Sequence, residues 1–114
     1  MPKDGQVDYV ELGGKDLAAI KKFYETVCGW TFTDYGPGYT SFADGRLTGG
    51  FRTDWPPSAS GALIVLYAND IAAMERKVQA AGGAITERHE FPGGKRFHFR
   101  DPAGNLLAVW TDKV

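Results

Sequence analysis

Chemistry in this 114-residue chain has few places to come from. The acid–base and nucleophilic candidates are a carboxylate on a strand (Glu11 in "VDYVEL", 7–12), two histidines (His89 and His98), one cysteine (Cys28) and the arginines of "KRFHFR", 95–100. Glu11 alternates with Val10 and Leu12, so it faces away from the side of the strand that those apolar residues claim. A carboxylate held there is costly unless it is paired or used. It reads either as the partner of an arginine or a group at the mouth of a cleft, or as a ligand contact or general base whose pKa burial would raise. His89 and His98 lie nine positions apart on neighbouring strands joined by "FPGG", with Glu87 and Glu90 close by. That set holds enough donors for a metal, but it reads better as a solvent-wetted polar cluster near a turn. Cys28, in "TVCGW", has no neighbour in sequence that would activate a thiolate, and it reads as a small packed group at a helix end. "LGGK" and "PGGK" lack the strand–loop–helix setting of a phosphate-binding loop.

The elements that must position these groups are written twice. Residues 9–32 align with 63–86 without a gap, matching Leu12 with Leu66, Asp16 with Asp70, Ala18-Ala19 with Ala72-Ala73 and Gly29 with Gly83. Each copy opens with a strand (7–12 and 62–67) and continues through an Asp suited to capping a helix N-terminus. Apolar stripes follow at Leu17, Ile20, Tyr24 and Val27, and at Ile71, Met74, Val78 and Ala81, before glycines that favour a helix stop. Three short strands complete each copy: 30–35, 39–43 and 47–52, then 84–90, 95–100 and 105–110, separated by "GPG", "DGR", "FPGG" and "DPAG". "WPPSASG" (55–61) is a linker, because two prolines and small polar residues do not continue a sheet. The reading is an α+β domain spanning 1–114. It comprises a βαβββ module at 6–54, the linker at 55–61 and a second βαβββ module at 62–112.

Strand parity assigns the two faces. Val7, Tyr9 and Glu11 turn away from the helices, as do Leu63, Val65 and Tyr67, Leu106, Ala108 and Trp110, and Arg96, His98 and Arg100. With Phe51, this predicts a ligand-binding lining of Tyr9, Glu11, Phe51, Tyr67, Arg96, His98 and Trp110, with Glu11 the candidate catalytic group. Aromatic walls with a few polar groups suit a small, partly planar molecule. Trp30 and Trp55 read as core or interface residues ahead of any cleft role.

The totals exclude other classes. Thirteen basic against fourteen acidic residues give a net charge of −1, which predicts no nucleic-acid partner and no attraction to anionic membranes. One cysteine rules out an internal disulfide and fits a reducing compartment. Nothing in the N-terminal "MPKDGQVDYV" resembles a signal peptide or anchor, so the expected setting is cytoplasmic.

"DLAAIKKFYETVCGWTF" resembles a signature of the vicinal oxygen chelate superfamily, the group of glyoxalase I, bleomycin-resistance and extradiol dioxygenase proteins. "FRDPAGNLLAVW" resembles its closing segment. The resemblance implies that the two modules form a cupped mixed sheet, and that two chains assemble as a homodimer with clefts near the interface. In metal-using members it also implies four inward ligands, generally His or Glu, at matching strand positions of the two halves. Those positions fall here on Tyr9, Leu63 and Ala108, with a fourth within Thr48–Phe51. None is a usual ligand for a catalytic divalent ion. The expectation is therefore a member with no metal and no other cofactor that binds a small molecule by sequestration or metabolite binding. Two alternatives stay open: a metal-free lyase or isomerase with Glu11 as base, and a glyoxalase- or dioxygenase-type metalloenzyme with relocated ligands.

Overall fold

Both helices begin where an aspartate can satisfy their first free N–H groups. In the computed structural model, which describes residues 2–113, Asp16 accepts the Ala19 N–H at 3.0 Å and Asp70 accepts the Ala73 N–H at 3.1 Å. Helix α1 (Leu17–Cys28) buries Ile20, Phe23, Tyr24 and Val27 and stops at Gly29, whose φ of 71° is the left-handed cap. Helix α2 (Ile71–Ala80) buries Val78 and packs Ile71 and Met74 against the same core.

Around them run β1 (Tyr9–Gly13), β2 (Thr31–Asp34), β3 (Tyr39–Ala43), β4 (Thr48–Arg52), β5 (Ile64–Tyr67), β6 (Ala84–Phe91), β7 (Gly94–Arg100) and β8 (Leu106–Thr111). They form two four-stranded mixed sheets, ordered β1-β4-β3-β2 and β5-β8-β7-β6. The repeated βαβββ order holds, but as one sheet per module. In each sheet the first and last strands of the module run parallel at one side, and the remaining pairs are antiparallel. No helix among the described residues is long and apolar enough to cross a membrane.

The helix-facing sides of both sheets share one core. Leu12, Phe42 and Phe51 enter it from the first sheet, and Phe97, Phe99, Leu107 and Val109 from the second. Helix α1 joins the two: Tyr24 stacks on Trp30 with centroids 4.5 Å apart, Trp30 stacks on Phe42 at 4.3 Å, and Phe23 meets Phe99 at 6.0 Å. Trp30 is thus a core residue.

The turn of "DPAGN" is a knot rather than a simple reversal. The buried Asp101 carboxylate accepts the Tyr24 hydroxyl at 2.8 Å, the Ala103 and Asn105 N–H groups at 2.9 Å each, and the Asn105 amide at 3.1 Å. Asn105 in turn donates to the Gly13 carbonyl at 2.8 Å and accepts the Ser58 N–H at 2.7 Å. The turn therefore binds α1, the end of β1 and the linker to the second module. Gly13 lies directly under the linker, where a Cβ would overlap the Trp55 and Pro56 carbonyls. Asp101→Ala strands a hydroxyl and backbone N–H groups in the interior, and is expected to cost roughly 3 kcal/mol of unfolding free energy. Urea denaturation reads this as a lower midpoint at unchanged slope, while Lys22→Ala on the exposed side of α1 stays within about 0.5 kcal/mol. A loss below about 1 kcal/mol for Asp101→Ala would show that the knot does not hold the modules together.

Candidate functional site

On the first sheet, the side away from the helices carries Tyr9 and Glu11 from β1, Tyr39 from β3, and Gly50 and Arg52 from β4, where Glu11 pairs with Gly50 and Tyr39 with Arg52. These side chains form one connected group. The Tyr39 hydroxyl donates to Glu11 Oε2 at 3.0 Å and accepts from the Tyr9 hydroxyl. Arg52 Nη1 donates to Glu11 Oε1 at 3.3 Å, and its Nε donates to Asp54 Oδ1 at 2.8 Å. The Arg52 guanidinium also lies 5.2 Å from the centre of the exposed Trp55 ring. Burial, then the hydrogen bonds with Tyr9 and Glu11, raises the Tyr39 pKa. The Arg52 hydrogen bond holds Asp54 below the usual carboxylate range. The result is a half-exposed row of phenol, carboxylate and guanidinium above a strand with no side chain at Gly50.

On the second sheet, the corresponding side carries Val65 and Tyr67 from β5, Ala108 and Trp110 from β8, Arg96 and His98 from β7, and Glu87 and His89 from β6. Tyr67 and Trp110 meet edge to face at 5.6 Å, and the Tyr67 hydroxyl donates to Asp112 at 2.7 Å. His89 Nε2 lies 2.8 Å from Glu87 Oε1, and His98 Nδ1 lies 3.6 Å from Glu87 Oε2. The His89 hydrogen bond, with the His98 ring nearby, lowers the Glu87 pKa. Glu87 therefore hydrogen-bonds His89 and stops short of His98. His98 is buried rather than wetted by solvent, and Glu90 falls outside the cluster by strand alternation.

Six of the seven expected lining residues take the expected face; Phe51 does not. It is fully buried beside Tyr24, with ring centroids 5.4 Å apart, and belongs to the core. The cause is two adjacent glycines, each making room for an aromatic ring on an opposite side of β4. A Cβ at Gly49 would overlap the Phe42 ring in the core, and one at Gly50 would overlap the Tyr39 hydroxyl on the outer face. The six remaining residues are also divided: Tyr9 and Glu11 lie on the first sheet, and Tyr67, Arg96, His98 and Trp110 on the second. Among the described residues, no hydrogen bond or ring contact joins the two sets. Glu11 does have an arginine partner, but it is Arg52, which sequence reasoning missed together with Tyr39. The parity of β3, with Thr40 and Phe42 turned inward, is the signal that would have found Tyr39.

Two features lie elsewhere. A groove of about 500 Å³ opens between α2 and the β6–β7 hairpin, lined by Ile71, Glu75, Arg76, Arg88 and Lys95 among others. Its Arg88 and Glu75 are paired at 2.7 Å. Burial pushes the Cys28 thiol up to about 12, which leaves it inert as a nucleophile.

Residues 6–109 match the sequence profile of the Glyoxalase/Bleomycin resistance protein/Dioxygenase superfamily. The chain belongs to that superfamily. The anthracycline biosynthesis proteins DauV, from a Streptomyces species, and DnrV, from Streptomyces peucetius, are each 34% identical to it over 96% of this chain and 48% of theirs. The chain thus spans about half the length of those relatives. A glyoxalase/bleomycin resistance protein/dioxygenase family enzyme from Burkholderia phytofirmans PsJN superposes with a TM-score of 0.80 at 18% identity, covering 92% of this chain and 98% of that one. The fosfomycin resistance protein FosX from Mesorhizobium loti gives a TM-score of 0.76 at 16% identity, covering 96% and 93%. At those identities the two structures show the shared fold.

The superfamily's metal can be tested against this donor set. The strand pairing resolves the fourth position: Glu11 faces Gly50 in the first sheet as Val65 faces Ala108 in the second, so the four positions are Tyr9, Gly50, Leu63 and Ala108. They offer one phenol, already hydrogen-bonded, and no carboxylate, imidazole or thiolate. These residues do not fit a catalytic divalent ion. Among the described residues no three His, Cys, Asp or Glu side chains are grouped to hold one.

If the Tyr39 hydroxyl fills the space over Gly50, Gly50→Ala should cost about 1–2 kcal/mol in the native chain and less than half of that in a Tyr39→Ser background. A double-mutant cycle from urea denaturation measures the difference, and equal costs in both backgrounds would refute the contact.

Proposed function

We propose that the chain is a metal-independent binder of a small planar aromatic molecule, working as a homodimer by sequestration or metabolite binding. The observation that carries this reading is the composition of the four inward positions. Phenol, glycine and two aliphatic side chains stand where a metal centre would need donors, and the space over Gly50 belongs to Tyr39. Tyr9 and Tyr39 on one sheet, and Tyr67 and Trp110 on the other, give flat surfaces on which a ring system can lie. Glu11, Arg52 and Arg96 supply a few charged contacts. Relatives concerned with anthracycline biosynthesis support a polycyclic, hydroxylated ligand over a polycation.

The division of the lining between two separate sheets supports the dimer. Tyr9, Val65 and Tyr67 are exposed large side chains on those faces, and a second copy would cover them. The matched relatives have about twice this chain's length, which is the amount of structure two copies supply. Near-balanced charge and a single thiol favour the cytoplasm.

A second reading, a metal-free lyase or isomerase, has one observation in its favour. The hydrogen bonds run from Tyr9 through Tyr39 to Glu11, a path by which a proton released at the exposed phenol reaches a carboxylate. Glu11 would be its base, and Glu11→Gln would then abolish turnover while leaving binding intact.

The deciding experiment uses the untagged full chain, incubated with Zn, Ni, Mn or Fe(II) and desalted. Plasma mass spectrometry is expected to find far less than one metal per chain. A hydroxyanthraquinone at about a hundredfold excess over its Kd should stabilise the fold by about 2.7 kcal/mol, several degrees in Tm. It should be recovered chemically unchanged, with Tyr9→Ala and Tyr67→Ala each weakening it about tenfold or more. One metal per chain, or no Tm shift, would overturn the proposal; consumption of the hydroxyanthraquinone that Glu11→Gln abolishes would move the chain to the second reading.

A further inference from the structure

Three tyrosine hydroxyls stand on the outer faces of the two sheets, and each of their protons is already committed. On the first sheet the Glu11 carboxylate accepts from Tyr39 at 3.0 Å and from Arg52 at 3.3 Å. Tyr39 has a single proton, so once that proton points at Glu11 its oxygen turns only lone pairs toward Tyr9. The proton between the two phenols is therefore the one on Tyr9. On the second sheet the Tyr67 hydroxyl gives its proton to Asp112 at 2.7 Å. The Asp112 hydrogen bond raises the Tyr67 pKa, and burial, then the bonds with Tyr9 and Glu11, raises that of Tyr39, so both phenols keep the protons this pattern needs. Tyr9 and Tyr67 are exposed on these faces, and the carboxylates at the ends of their hydrogen bonds are half-exposed.

We propose that Tyr9 and Tyr67 recognise the ligand as hydrogen-bond acceptors, that the ligand is a polyphenol bringing its own O–H groups to them, and that Tyr39 and Asp112 set this preference by holding the two tyrosine protons. A phenol whose proton is held by a neighbour still accepts through its remaining lone pairs. A ligand hydroxyl at either oxygen meets such a pair. An ether, a quinone carbonyl or a carboxylate placed there sets lone pair against lone pair, with no proton between them. At Tyr9 the chain behind the oxygen strengthens it, because a hydroxyl that donates toward a carboxylate becomes a better acceptor. Arg52 holds the far end of that chain, bonding Glu11 through Nη1 and Asp54 through Nε and Nη2. The two sheets reach one polarity by unlike means, a phenol relay to Glu11 and a direct bond to Asp112. The inference rests on the binding reading above and adds to it the functional group that is selected and the two positioning residues that select it.

The test uses the full chain with a dihydroxyanthraquinone, its hydroxyls on the outer edges of the ring system, and the dimethyl ether of the same compound. Calorimetric titration, at a pH where the hydroxyls stay protonated, is expected to give binding about tenfold tighter for the diol than for the ether. Tyr39→Phe keeps the ring and frees the Tyr9 proton, and Asp112→Ala frees that of Tyr67. Each should lower the diol-to-ether ratio several-fold while the ether binds as well as before or better, because a freed phenol proton serves an ether oxygen. The same two probes are compared in every protein, so their unequal hydration cancels. A merely structural role for Tyr39 or Asp112 would weaken both probes alike and leave the ratio unmoved.

Equal or tighter binding of the ether by the native chain, or a preference that both variants retain, would overturn the inference and leave the binding reading standing. If neither probe binds, the binding reading itself has failed and this inference falls with it.

Discussion

The Asp101 carboxylate fixes more of this molecule than any other single group. By accepting from Tyr24, Ala103 and Asn105 it sets the rotation of α1 about its own axis. That rotation places the Tyr24 ring flat against Trp30 and beside Phe51. Phe51 must then point into the core, and the alternation of β4 turns Gly50 outward and puts Tyr39 above it. A buried ion is tolerated here because its oxygens are saturated with donors, including two backbone N–H groups and the Asn105 amide. The outer faces inherit their arrangement from a contact on the opposite side of the sheet.

The two modules repeat a skeleton and not a surface. Glu11 and Gly50 in the first sheet occupy the places of Val65 and Ala108 in the second. One face is organised by a carboxylate, a guanidinium and two phenols. The other is apolar at its parallel side, where Val65 and Ala108 lie, and polar toward β6, where Glu87, His89 and His98 gather. A ligand lying against both would meet different chemistry on its two sides, so the pseudo-repeat does not imply two equivalent binding modes.

Much of this was legible in the residue pattern. Capping aspartates, helix stripes, turn residues and strand parity identify every element and send Tyr9, Glu11, Tyr67, Arg96, His98 and Trp110 to the correct face. What escaped has physical causes. The two glycines of "TGGF" carry no side chain to phase β4, so Phe51 reads as lining although the aromatic stack of α1 claims it. Arg52 sits at the end of the same strand, and its pairing with Glu11 depends on that phase. The burial of His98, and the linker's approach to it at residues 59–63, do not show in strand parity. A linker's path is set by Asn105 and Gly13 across the fold, and local composition does not encode it.

The contact over Gly50 also sets an order on how the surface can change. Any side chain at position 50, a carboxylate included, has to displace the Tyr39 hydroxyl from the place it now holds. Replacing Tyr39 alone removes the donor to Glu11 and the acceptor for Tyr9 while introducing no new function. Each first step therefore loses stability or organisation before a second can gain anything. In a lineage that changes one residue at a time, this acts as a ratchet: a new side chain at position 50 first has to give up the Tyr9–Tyr39–Glu11 hydrogen bonds that now organise this face.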